Sequence, residues 1–146
     1  MTESVKAFDM APEQEALWEA AYSNARKLNE SGNSDAAITA GLQAWELIPE
    51  PKMQCSMSHI TLLRLSKLYV QAKRFAEAVD LSDQVMRSSP FKKADVPIFA
   101  VRKGIALFES GDMEAARNAF DIAWKDSKDF GFKGEDAKYL KFYLSK

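Results

Sequence analysis

The chain has 146 residues, 47% of them apolar and 28% charged, with a formal net charge of −1. That is the balance of an ordinary soluble globular protein, and it excludes nucleic-acid binding through a global basic field. The single cysteine, Cys55, excludes an intrachain disulfide and fits a reducing, cytoplasmic setting.

Residues 1–11 show no clear period and read as a mobile tail, with residues 12–146 as one domain. The early acids and the lack of an apolar core there argue against a secretory signal. No apolar run approaches the ~20 residues of a membrane span.

Pro12 suits the first turn of a helix, and Glu13 and Glu15 suit its positive end. This helix should reach about Glu30, with Trp18, Ala21, Ala25 and Leu28 inward. Ser31-Gly32-Asn33-Ser34 is a turn, and Asn33 or Ser34 caps a second helix carrying Ala37, Gly41 and Ala44. Pro49-Glu50-Pro51-Lys52 breaks the helical pattern.

A third helix is predicted from about Ser56 to Ala72, with Leu62, Leu65, Ser66 and Tyr69 inward. The next turn, Lys73-Arg74, has no glycine and should be tighter or less regular. A fourth helix from about Phe75 turns Ala78, Ser82 and Val85 inward and stops before Pro90. Residues 91–95 read as a connector, and a fifth helix starts at Pro97. Its face Ala100, Gly104, Leu107 meets Ala116, Phe120, Ala123 of a sixth helix across the Ser110-Gly111-Asp112 turn. The small Gly104 and Ala116 should let these two helices approach closely. A loop over residues 129–134 leads to a last helix at about Glu135 to Leu144.

Three of these pairs are copies of one pattern. Ala37, Ala78 and Ala116 hold the same place, 41 and then 38 residues apart. Twelve residues before each stands a small residue: Ala25, Ser66, Gly104. Nine before stands a large apolar one: Leu28, Tyr69, Leu107. Seven after stand Ala44, Val85 and Ala123, and Pro49 and Pro90 close the first two copies.

The pattern resembles the tetratricopeptide repeat, a helix-turn-helix unit of about 34 residues with small, aromatic and proline positions in this order. The copies here are longer, and the extra residues fall between pairs. The resemblance implies an all-α fold: three antiparallel helix pairs stacked as a right-handed α-solenoid, with a C-terminal capping helix. It also implies a groove lined by the first helix of each pair. By register this groove carries Tyr22, Arg26 and Asn29, then Leu63, Lys67 and Gln71, then Val101, Ile105 and Phe108. The third set is apolar. Either it meets the partner, or the last helix covers it with Leu140, Tyr143 or Leu144. Some members of this family clamp a C-terminal carboxylate with Lys and Asn; the corresponding places here hold Tyr22, Leu63 and Val101, so that clamp is missing.

Other chemistry is weakly signalled. Cys55 and His59 lie four apart and would share a helix face, but no oxyanion hole or orienting acid accompanies them. Met53, Cys55, Met57 and His59 alternate, as soft Cu(I) ligands would on a strand, yet most of this stretch reads helical and the methionines suit a core gap. Lys92-Lys93 and Arg102-Lys103 lack interleaved aromatics. No catalytic, metal or cofactor site is therefore expected, and neither a nucleic-acid nor a membrane partner. The chain reads as a monomeric, non-enzymatic protein-interaction module. FGFKGEDAKYLKFYL and AWELIPEPK are similar to stretches of small bacterial tetratricopeptide-like proteins encoded beside polymorphic toxins. That similarity implies a cytoplasmic immunity protein that binds and blocks a toxin domain. The other reading is an adaptor or co-chaperone holding a peptide in the groove.

Overall fold

A computed structural model describes residues 5–145. They form seven α-helices: α1 Pro12–Glu30, α2 Ser34–Glu46, α3 Ser58–Gln71, α4 Phe75–Ser88, α5 Lys92–Ser110, α6 Met113–Ser127 and α7 Ala137–Leu144. Short 3-10 turns occupy Lys52–Gln54 and Phe130–Phe132. No strand occurs among the described residues, and none of their helices is long and apolar enough to cross a membrane. The helices group into two compact units that part between Ala72 and Lys73. α3 therefore belongs to one unit and α4, its predicted partner, to the other.

In the first unit α2 packs against both α1 and α3. α1 starts on Pro12 and ends where Gly32 takes a left-handed φ of 86°. There Asn33 N–H donates to Leu28 O and Gly32 N–H to Asn29 O, which satisfies two carbonyls that the helix end leaves open. After α2 the chain breaks at the prolines, and Lys52 folds back onto the helix end, adding to the backbone N–H that Ile48 gives Trp45 O. Its Nζ donates to Trp45 O at 3.0 Å and Ile48 O at 2.6 Å, placing a cation at the negative end of α2.

The expected mobile tail needs correction where it is described; residues 1–4 lie outside the described residues. Phe8 N–H donates to Gln54 O at 3.1 Å, Ser56 N–H donates to Phe8 O at 2.7 Å, and Met10 is 5% exposed. Met10 joins Trp18, Ala44, Ile48 and Cys55 in one apolar cluster, with Met57 packed against it. Two residues, Phe8 and Met10, are too few to show a period, yet their burial with two backbone hydrogen bonds pins the segment.

In the second unit α5 is central and packs against α4 and α6. It begins five residues before Pro97, which corrects the expected connector. Ser89 explains the early start: its hydroxyl accepts from Phe91 N–H and donates to buried Asp95 at 2.5 Å, closing the first turn. Pro97 then sits inside the helix near its N-terminal end, where it removes one backbone donor. Across the α5–α6 seam, Gly104 leaves room for the Phe120 ring, which a Cβ at 104 would strike. Ala100, Ala116, Phe120 and Ala123 are fully buried. Gly111, with φ 94°, ends α5 as Gly32 ends α1: Asp112 N–H donates to Leu107 O and Gly111 N–H to Phe108 O.

Lys73 stands where these glycines stand and also adopts a left-handed φ, 61°. The middle turn is thus as left-handed as the other two, and a lysine bears the conformational cost that a glycine would avoid.

α7 folds back on α5 and α6. Tyr139 and Phe142 meet Phe108 edge-on at 5.3 and 5.1 Å. Buried Arg102 pairs with Glu135 at 3.0 Å, and Asp136 caps α7 through Lys138 N–H at 2.9 Å, so the helix starts at Ala137 and not at Glu135. Arg117 donates to the α7 carbonyls of Tyr143 and Phe142 at 2.9 and 3.3 Å.

Candidate functional site

The residues expected to line a groove divide by unit. In the first unit, Tyr22, Arg26 and Asn29 of α1 and Lys67 and Gln71 of α3 line one open cleft of about 270 Å³. They project together because α1 and α3 run parallel with a nearly constant offset. Trp18 Nε1 donates to Thr61 Oγ1 at 2.9 Å, Arg64 covers the Tyr22 ring at 4.3 Å, and Asn29 Nδ2 donates to Gln71 Oε1 at 2.6 Å. Each of these pairs is 42 or 43 residues apart.

That offset explains one miss. The repeat period of 41 marks equivalent positions, so it set Leu63 beside Tyr22. The residues that meet across α1 and α3 are one or two steps further on. Arg64 therefore lines the cleft, with Ala25 and Leu68 beneath, while Leu63 is half-buried and does not line it.

The cleft is electropositive. Arg26, Arg64 and Lys67 line it, no Asp or Glu does, and none of the three has an ion-pair partner among the described residues. Burial raises the Tyr22 pKa above its ordinary value, and the Arg64 charge beside it offsets part of that rise. The phenol stays neutral, and Arg64 is held over its ring by a cation–π contact.

Set against known proteins, the chain matches no family model, no curated protein and no solved structure.

The third expected set lies in the second unit and is closed off. Val101 and Ile105 are 0% and 2% exposed, and Phe108 lies under Tyr139, Phe142 and Lys138. Ile105 and Phe108 are thus parts of a packed layer, which corrects their place in a binding groove. The residues named as its cover change as well. Tyr139 and Phe142, three apart, share the inner face of α7, whereas Leu144 is 53% exposed. Tyr143 turns to α6, where its hydroxyl donates to Asp121 at 2.6 Å. A larger depression of about 670 Å³ adjoins it, lined by Arg117, Asn118, Asp121, Trp124, Tyr143 and Leu144. Most of its polar groups are already engaged: Arg117 with α7 carbonyls, Asp121 with Tyr143 and Lys125.

Cys55 and His59 do not share a helix face. Cys55 is extended and buried beside Phe8, and α3 begins three residues later. Among the described residues no three His, Cys, Asp or Glu side chains gather as metal ligands.

Proposed function

We propose that this chain is a non-catalytic protein-interaction module of the tetratricopeptide kind, and that its partner docks on the α1–α3 cleft. The observation that carries the proposal is Arg26 and Lys67, two cations without ion-pair partners among the described residues, on opposite walls of one open cleft. Charged side chains usually gain from a nearby counter-charge, and a partner would supply it. The volume, about 270 Å³, falls below the roughly 300–1,000 Å³ of closed small-molecule sites, which favours a few side chains of a polypeptide.

Three features support the repeat reading. The first helices α1 and α3 run parallel in nearly constant register. Ala37, Ala78 and Ala116 are each fully buried. Residues 32, 73 and 111 share the left-handed turn.

Between the two kinds of partner, the cleft favours the adaptor form, in which an extended segment is held. The immunity form rests on AWELIPEPK and FGFKGEDAKYLKFYL. Key polar residues of these stretches, Lys52, Glu135, Asp136, Tyr139 and Tyr143, are engaged in holding the fold.

The test is affinity capture from the source cell with three proteins: the natural chain, Arg26→Glu with Lys67→Glu, and the control Lys93→Glu with Lys133→Glu. Exposed charges contribute little to stability but about 2–5 kcal/mol to binding when paired and desolvated. The cleft pair should lose the partner with an unchanged thermal midpoint, and the control should keep it. Retention by the cleft pair and loss by the control would sink the cleft and leave only a folded partner on another face.

A further inference from the structure

Resting on the cleft reading above, we infer that the cleft takes an extended acidic segment of a partner protein through its side-chain carboxylates. Three positive charges face it from Arg26, Arg64 and Lys67, and no acid among the described residues lines it, although the whole chain is slightly acidic at −1. The positive field is therefore local and would select an anionic segment over the chain's own average surface. Arg64 is oriented in advance by the Tyr22 ring, which lowers the entropy cost of pairing its planar guanidinium with a carboxylate.

The length agrees. Tyr22 to Asn29 and Arg64 to Gln71 each span two helical turns, about 10 Å, the reach of roughly three extended residues. At one end the Asn29–Gln71 pair uses one donor and one acceptor between its members. The Asn29 carbonyl oxygen and a Gln71 N–H remain to meet a peptide N–H and C=O. Side-chain carboxylates fit better than a chain terminus, because the cations are spread along the cleft from Arg26 to Arg64 and are not gathered at one end. Nucleic acid fits worse, because the Tyr22 face is covered by Arg64 and offers no stacking platform for a base.

The experiment is fluorescence polarisation with a dye-labelled, C-terminally amidated peptide, Gly-Glu-Asp-Glu-Gly, against the full chain. Saturable binding is expected, weakening as salt rises. The Gly-Gln-Asn-Gln-Gly peptide should bind at least tenfold more weakly. Arg26→Glu with Lys67→Glu should abolish binding, and Lys93→Glu with Lys133→Glu should leave it unchanged. The inference is overturned by equal binding of the two peptides, by a requirement for a free C-terminal carboxylate, by tighter binding of an oligothymidine of similar length, or by no response up to about 1 mM peptide. If cellular capture depends on Arg26 and Lys67 but the acidic peptide does not bind, the cleft stands and its acidic specificity falls. If capture ignores those substitutions, the cleft itself falls.

Discussion

Gly104→Ala sets two effects against each other. In a helix interior alanine is favoured over glycine by about 1 kcal/mol. At 104 the added Cβ would strike Cδ1 and Cε1 of Phe120 and lie 2.9 Å from its Cζ. Comfortable carbon contacts need about 3.5–4.0 Å, so the ring or the α5–α6 seam must give by roughly 1 Å. The ring has little freedom to do so. Phe120 is fully buried, with Phe132 at 5.3 Å and Tyr139 and Phe142 at 6.2 Å. Overpacking of this kind costs ~1–3 kcal/mol or more, and the stiffness of the ring puts this case at the upper end. We expect a net loss of about 2 kcal/mol by urea denaturation. Gly41→Ala is the matched comparison. Its Cβ would lie 3.2 Å from the Cδ1 methyls of Leu65 and Leu68, the free ends of flexible side chains, so the helical gain should win and stability should rise or hold. Phe120→Leu in the Gly104→Ala background should recover part of the loss, a coupling that a double-mutant cycle measures. A neutral or stabilised Gly104→Ala would refute the close α5–α6 seam.

Three further outcomes are expected. Lys73→Gly should stabilise the protein by about 1 kcal/mol in the same assay, because it relieves a left-handed φ that the flanking turns give to glycine; a loss would mean that the lysine side chain contributes more than its backbone costs. Lys52→Met should cost about 1.5–3 kcal/mol, since it leaves the Trp45 and Ile48 carbonyls without their charged donor, and a thermal midpoint equal to that of the natural chain would discount this cap. Burial, and then the hydrogen bond to Asp121, pushes the Tyr143 phenol up to about 12, and burial with Glu109 raises Tyr139 further. A phenol whose folded pKa is raised contributes stability that is complete below the unfolded value, near 10, and is lost as pH rises through about 12. Tyr143→Phe should therefore flatten part of the stability decline over that window; an unchanged slope would remove Tyr143 from the α7 attachment.

The sequence alone determined most of the local structure, because local structure depends on short-range chemistry. Pro12 and its acids start α1, Gly32 and Gly111 supply left-handed turns, and the spacing of Ala25, Ala37, Ala116 and Phe120 names faces that are indeed buried. Five of the residues assigned to a groove, Tyr22, Arg26, Asn29, Lys67 and Gln71, do share one cleft, since helical period places them on facing surfaces. What the sequence could not decide depended on partners distant along the chain. Phe8 is held because residues 54–56 pair with it, and Met10 because the Trp18 cluster buries it. α5 can start before Pro97 because Ser89 reaches Asp95. Arg64 enters the cleft because parallel helices meet one residue past the repeat period. Phe108 leaves the groove because Tyr139 and Phe142 pack over it, and Ile105 because it is buried in the second unit; such a choice among apolar faces is made by tertiary packing and not by periodicity.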